Sequence, residues 1–323
     1  MRRESGSGVL VVFPGALGDL VCLVPTLREL DRRHDALPSL LCKGDLVPLI
    51  AMARLAMAQP IERRETGWLF SVQPPQEAAA YFGAFSSIES FTGAGVDEVE
   101  RNVRKWTRGT ARVHPFRPSQ PIHLAEHFLR SIGVVHLADE LEARLEVPAE
   151  LRAAASRRWR GRRLPLLLMH PGSGGDAKRW SREGFRRVAE RWLLRGGGLI
   201  VLLGGAEESE VDAWGAEGFE VAVGLDVTEV AALLSVADLY LGNDSGISHL
   251  AAAVGAFGVA LFGPTDPRSW RPLSKRMRAM TLDPWSAIGE AAPERAIHAV
   301  ERELDVASTL TRWDPDTSFL ERK

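Results

Sequence analysis

Residues 242–255 read GNDSGISHLAAAVG, and residues 257–263 read FGVALFG. The fold is decided here. Residues 238–242, DLYLG, form a short apolar run suited to a buried strand. Asn243, Asp244 and Ser245 make a turn. Ser245 is a good N-cap, and apolar residues recur at 247, 250, 251 and 254 with helical spacing. Gly255 stands where that helix should stop. A second strand then runs to Phe262. A strand that turns through Asp-Ser-Gly into a helix gathers backbone N–H groups and the positive end of the helix dipole at one point, which suits an anion. Gly246 has no Cβ to hold a ligand off the backbone. The anion expected there is the diphosphate of a sugar nucleotide.

Outward from that stretch, strands and helices alternate. The second half begins with a strand at 166–170, a loop at 171–180 and a helix capped by Ser181, whose apolar residues are Phe185, Val188, Ala189, Trp192 and Leu193. Residues 196–198, GGG, end it. Residues 199–203 form the next strand, closed by GGAE at 204–207, and a helix over 228–237 leads into the opening stretch. The first half starts alike. VLVVF at 9–13 is followed by PGALGD at 14–19 and by Val21, Val24, Leu27 and Leu30 at helical spacing. This βα unit carries its loop at the strand's carboxyl end, where open α/β sheets hold ligands. As a dinucleotide fingerprint it fails, because a central glycine of G-x-G-x-x-G is missing, which disfavours a dinucleotide oxidoreductase.

Between 38 and 165 the patterns weaken. Residues 40–42 suit a second strand, 46–58 a helix and 123–132 another helix. Pro74 and Pro75 mark a loop. Residues 98–112 are charged, with Arg101, Arg104, Lys105, Arg108 and Arg112 at near-helical spacing, and 141–160 is polar and helical. GRRLP at 161–165 is the best boundary. The fold class expected is α/β, with two parallel, doubly wound sheets starting at Val9 and Leu166. The domains expected are 1–160 and 161–307, with a last helix over 293–304 and a polar, less ordered tail at 308–323.

A chain of 323 residues is long for one core and suits two domains. Forty basic against forty-two acidic residues give −2, which argues against nucleic acid as a partner. The two cysteines, Cys22 and Cys42, form neither a metal spacing nor a disulfide frame, and a reducing cytoplasm fits them. Residues 9–13 are too short for a signal-peptide core, and the apolar stretch 250–262 is broken by glycines and short of a membrane span. A protein in solution or on a membrane surface is expected.

Three motifs stand together: PGALGD at 14–19, HPGSGGDAKRW at 170–180 and GNDSGISHLAAAVGAFGVALFGPTDP at 242–267. In this order the chain resembles glycosyltransferase family 9, the lipopolysaccharide heptosyltransferases, strongly over 9–30 and 166–272 and weakly over about 40–160. The resemblance implies a GT-B fold, two Rossmann-like domains facing across a cleft. It implies inverting transfer of a heptose from ADP-heptose to a lipopolysaccharide core sugar, with no essential metal or other cofactor. Residue by residue, Asp19 matches the general base, with Gly15 and Gly18 beside it on the acceptor side. Lys178 matches the lysine on the donor phosphates, and Gly172 and Ser173 lie near the same phosphates. Glu207 matches the acid facing the ribose. Asp244, Ser245, Gly246 and His249 match the donor-binding D-[ST]-G-x-x-H element. The partners implied are a nucleotide sugar and a glycan or lipid-linked acceptor, met at the cytoplasmic face of the inner membrane. Residues 40–160 carry no recognisable acceptor signature.

Each of these residues also has a plainer reading. Asp19 can cap the first helix, Lys178 can be a solvated loop lysine, and Glu207 can be an exposed residue at a helix start. Asp244 can bond its own backbone, and His249 can pack against the sheet. His170 reads as structural, and Trp180 as packing between helix and sheet. Asp266 is a weaker candidate for the cleft. The basic set at 101–112 suits an acidic acceptor or a membrane surface, but a solvated face salted with Glu98 and Glu100 fits it better. No DxD-like pair lies in a suitable loop, since Asp314 and Asp316 fall in the tail. The rival functions are transfer from another nucleotide sugar or to a protein or other glycan, and non-catalytic binding of a nucleotide sugar.

Overall fold

The computed structural model describes residues 8–136, 141–159, 161 and 163–311. The chain forms two compact units, one up to Leu141 and one from Glu142 on.

In the first unit the strands are β1 (Val9–Val12), β2 (Ser39–Cys42), β3 (Met57–Pro60), β4 (Ser87–Ser90) and β5 (Thr110–Val113). They form one sheet in the order β3-β2-β1-β4-β5, and every pairing is parallel. The helices are α1 (Leu17–His34), α2 (Val47–Met52), α3 (Arg64–Leu69), α4 (Gln76–Phe82), α5 (Asp97–Trp106) and α6 (Leu124–Ser131). All four residues of β1 are buried, as an unbroken apolar strand between two covered faces should be. Leu10, Val12, Leu41 and Ile88 pack with Phe82, Val99, Val103 and Trp106 on one face of the sheet. Phe13, just past β1, packs edge-on against Phe91 and Phe128. The chain winds from β1 outward to β3 and returns with β4 on the other side. The switch point therefore lies between β1 and β4, under the loop that leads into α1.

Two expectations for this unit need correction. The helix expected over 46–58 ends at Met52, and Met57–Pro60 is strand β3. The charged helix expected over 98–112 ends at Trp106, so Arg112 lies on β5 and Arg108 in the turn before it.

The second unit opens with α7 (Ala149–Arg158) and holds β6 (Leu166–His170), β7 (Gly198–Leu202), β8 (Val221–Ala222), β9 (Leu239–Asn243), β10 (Gly258–Phe262) and β11 (Met277–Thr281). The order is β11-β10-β9-β6-β7-β8, again all parallel. Its other helices are α8 (Arg182–Leu194), α9 (Val211–Ala216), α10 (Val227–Val236), α11 (Gly246–Ala253), α12 (Pro267–Trp270) and α13 (Glu294–Thr311). The strands β6, β7, β9 and β10 are buried throughout. Leu167, Met169, Trp180, Phe185, Leu241 and Ile297 belong to one large core cluster. Here the switch point falls between β6 and β9, so the loops after these two strands share one end of the sheet.

The units part at 141/142, ahead of the boundary expected at 160/161, because α7 packs on α10 and so belongs with the second sheet. Among the described residues of the helix expected over 141–160, only Ala149–Arg158 are helical, and 160 lies outside the described residues. Helix α13 runs on to Thr311, past the expected start of the tail at 308, and residues 312–323 lie outside the described residues. Among the described residues, no helix is long and apolar enough to cross a membrane.

Candidate functional site

Three loops of the second unit meet at Asp244. Its carboxylate Oδ2 accepts from Lys178 Nζ at 2.9 Å and from Thr265 Oγ1 at 2.7 Å. Its backbone carbonyl accepts from Ser173 Oγ at 2.8 Å. The loop after β6, the turn after β9 and the GPTDP loop after β10 are thus tied to one buried residue. Asp244 does not merely hold its own turn, and Lys178 is not a freely solvated lysine. An ion pair with one partner in the interior is sustained by such hydrogen bonds to the remaining lone pairs.

Asn243 forms the end of β9 rather than part of the turn. Its Nδ2 donates to the Pro171 carbonyl at 2.8 Å, and its Oδ1 accepts from the Trp180 N–H at 3.0 Å, so one amide clamps both ends of the 171–180 loop. Ser245 is the N-cap of α11, and its Oγ accepts the Ser248 N–H. The Ser248 hydroxyl bonds the Asn243 carbonyl and lies 2.9 Å from the Tyr240 hydroxyl. Burial pushes the Tyr240 phenol's pKa up, so it stays neutral. These contacts fix the first turn of α11 on the end of β9. A helix start has N–H groups with no intrahelical acceptor, and the start of α11 directly follows Asp244, the residue that holds Lys178. Gly246 opens this turn, and Gly255, at φ +89°, closes the helix. His249 is buried within the first turn and donates its backbone N–H to the Ser245 carbonyl at 3.3 Å.

Glu207 does stand in the first turn of a short 3-10 helix (Gly205–Glu210), as the plainer reading has it, but it is buried, only 4% exposed. Its Oε2 accepts the Gly204 N–H at 3.1 Å. Its Oε1 lies over Gly172, where an added Cβ would come within 2.3 Å of it and within 2.7 Å of His170 Cε1. Gly172 is therefore small so that this carboxylate can lie against the backbone. His170 is buried at the end of β6, and its Nδ1 donates to the Leu202 carbonyl at 2.9 Å, in keeping with a structural role. Burial holds its imidazole below the ordinary range and keeps it neutral.

Asp19 lies in the first turn of α1, over the switch point of the first unit. Its Oδ2 accepts the Ala16 N–H at 3.1 Å, so it does secure the helix start. It also receives a fork from Arg117, with Nη1 2.7 Å from Oδ1 and Nη2 3.5 Å from Oδ2. The Asp19 side chain is 13% exposed and that of Arg117 49%. Gly15 lets the loop pass Phe13 and Asp19, since a Cβ there would stand 2.4 Å from the Phe13 ring and 2.7 Å from Asp19 Cβ. Gly18 is the second residue of α1.

Sequence reasoning missed Arg117, Thr265 and the Asn243 clamp. Arg117 stands 98 positions from Asp19, beyond any local spacing. Thr265 sits one residue before the weak candidate Asp266, which caps α12 instead. In the basic set, Arg104 pairs with Glu100 and Arg112 with Glu89. Among the described residues, no group of three or more His, Cys, Asp or Glu side chains could hold a metal ion.

Comparison with known proteins adds a family. The profile of glycosyltransferase family 9 (heptosyltransferase) matches residues 122–298, more than half of the chain. Lipooligosaccharide heptosyltransferase 2 of Haemophilus influenzae is 33% identical over 128 residues, 36% of this chain and 37% of its own length. The similarity thus spans little more than a third of the curated relatives it matches. Among solved structures, Escherichia coli ADP-heptose lipopolysaccharide heptosyltransferase II aligns with a TM-score of 0.74 at 18% identity, over 94% of this chain and 99% of that one. Escherichia coli heptosyltransferase WaaC with ADP aligns with a TM-score of 0.64 at 18% identity, over 93% and 99% of the two chains. These likenesses show the GT-B fold.

Proposed function

Because the chain belongs to glycosyltransferase family 9, we propose that it transfers a heptose, with inversion, from ADP-heptose to a sugar of the lipopolysaccharide core. The observation that carries this reading is the meeting of Lys178, the N-cap Ser245 and the start of α11 at the switch point of the second sheet. The donor diphosphate rests there on backbone N–H groups and the Lys178 ammonium. Glu207 faces the ribose, and His249 and Gly246 line the same crevice. ADP-heptose is what one structural neighbour's name carries, and ADP is bound in another.

In the reaction, Asp19 takes the proton from the acceptor hydroxyl as that oxygen bonds to the anomeric carbon. The bond from that carbon to the diphosphate breaks, and ADP leaves with the electron pair. Lys178 and the α11 amides stabilise the charge that gathers on it. Positioned proton transfer of this kind is worth about 100–10,000-fold in rate. In this reading the acceptor is lipid-linked, and the protein would meet it at the cytoplasmic face of the inner membrane.

The test pairs nucleotide titration with a transfer assay. ADP should bind more tightly than UDP or NAD. ADP-heptose should be consumed with lipopolysaccharide lacking its core heptoses, or carrying only the first, as acceptor. Asp19→Ala should lose at least about 100-fold in transfer while still binding ADP. Preferential binding of NAD would remove the glycosyltransferase reading, and parental turnover by Asp19→Ala would remove the base.

A further inference from the structure

We infer that Arg117 is a positioning residue for Asp19, and that the segment from His114 to Arg117 is built to hold it. The inference rests on the reading of Asp19 as the general base. The geometry is a fork from one guanidinium onto both carboxylate oxygens, at 2.7 Å and 3.5 Å. Such a pair on a mobile surface arginine contributes little, because ordering a long side chain offsets the gain. Here each residue of the segment is anchored. The His114 N–H bonds the Ser90 carbonyl at 2.7 Å, and its ring Nε2 lies 2.7 Å from the buried Glu89 carboxylate. The Glu89 carboxylate also accepts from Arg112 at 3.0 Å. The Pro115 carbonyl accepts from His127 Nε2 at 2.8 Å. Phe116 leans on Phe13 and Phe128, with ring centroids 5.5 Å and 6.0 Å apart. The Arg117 guanidinium lies over the Phe116 ring, 4.5 Å from its centroid. The fork is therefore held in place before Asp19 meets it, which is where a planar guanidinium differs from an ammonium.

This matters for proton transfer because a base must be held within roughly 0.5 Å and 10–20° of its working geometry. The Ala16 N–H holds one oxygen of Asp19 and the Arg117 fork orients both. A carboxylate offers about four lone-pair sites, so an acceptor hydroxyl can still be received. Without the fork, Asp19 can turn about its side-chain torsions and spend much of its time misaligned. A displacement of about 1 Å costs on the order of 100-fold in rate.

The experiment measures ADP-heptose transfer to heptose-deficient lipopolysaccharide by Arg117→Ala, Arg117→Lys and Asp19→Asn, with ADP binding measured on each. Arg117→Ala should lose about 10–100-fold in kcat. Its KM for ADP-heptose and its affinity for ADP should stay within about two-fold, since those contacts lie on the other unit. Arg117→Lys should recover part of the loss, and added guanidinium should partly rescue Arg117→Ala but not Asp19→Asn. If Asp19→Asn is inactive while Arg117→Ala keeps the parental kcat, the positioning role is wrong and the base stands. The role is equally wrong if the loss in Arg117→Ala appears in ADP affinity, or if neither lysine nor guanidinium restores kcat. Parental turnover by Asp19→Asn instead overturns the underlying reading of the base.

Discussion

Lys178 does not enter the proposed donor site as a bare positive charge. Its ammonium is already paired with the carboxylate of Asp244, whose side chain is only 6% exposed. In the proposed reading, a diphosphate arriving there would share the lysine with Asp244 and depend on the α11 amides for the rest of its grip. Two consequences follow for Lys178→Ala. Loss of one charge-assisted hydrogen bond should weaken ADP binding by about 1.5–3 kcal/mol, or roughly 10–150-fold, by titration. The Asp244 carboxylate, left with the Thr265 hydroxyl, should also cost folding stability. Breaking a fully buried pair costs about 3–5 kcal/mol, but the Lys178 side chain is 37% exposed, so about 1–2 kcal/mol is expected from denaturant unfolding. Unchanged ADP affinity would remove Lys178 from the donor site. His170 gives a pH dependence. Burial depresses its folded-state pKa below the ordinary 6.5, so below that pH the unfolded chain takes up a proton that the folded chain resists. Its contribution is fully present above pH 6.5 and is lost as pH falls. The parent's Tm should therefore drop between pH 7 and pH 5 more steeply than that of His170→Gln. Equal slopes would show that His170 is not the responsible group.

At the scale of elements, α11 is held by β9, and that attachment aims the proposed phosphate-binding amides. Tyr240→Phe removes the hydroxyl 2.9 Å from Ser248 Oγ and leaves Ser248 bonded to the Asn243 carbonyl. A loss of about 1 kcal/mol in stability is expected, and ADP affinity should fall with it. Retained affinity in a destabilised Tyr240→Phe would separate the anchor from the site. The elements that sequence patterns revealed are those buried on both faces. β1, β6, β9 and β10 read as unbroken apolar runs because helices cover both sides of each sheet. The capped helices α8 and α11 were equally legible, since Ser181 and Ser245 do what their positions suggest. The edge strands β3 and β5 were not. Met57–Pro60 and Thr110–Val113 are largely exposed and carry too few apolar residues to announce a strand. The arginines around β5 have helical spacing only by chance, and Arg112 instead reaches Glu89 on the neighbouring strand.

At the scale of the molecule, the two sheets repeat one arrangement, a loop over the point where strand order reverses. In the first unit that loop leads to Asp19, and in the second the loops after β6 and β9 lead to Lys178 and Ser245. This much follows from three short motifs, because a motif at the carboxyl end of a central strand must sit at the switch point. What the motifs could not give is contact between distant segments. Thr265 joins Asp244 from 21 positions away, and Arg117 joins Asp19 from 98. Only the winding of the chain brings them together. The domain boundary was misplaced for a similar reason, since a polar helix, α7, gives no local sign of which sheet it serves.

The most direct measurement is a crystal structure with ADP bound. The account predicts diphosphate oxygens within about 3.2 Å of Lys178 Nζ and of the first backbone N–H groups of α11. ADP seated away from Ser245 at saturating concentration, with Lys178 still engaged only by Asp244, would contradict it.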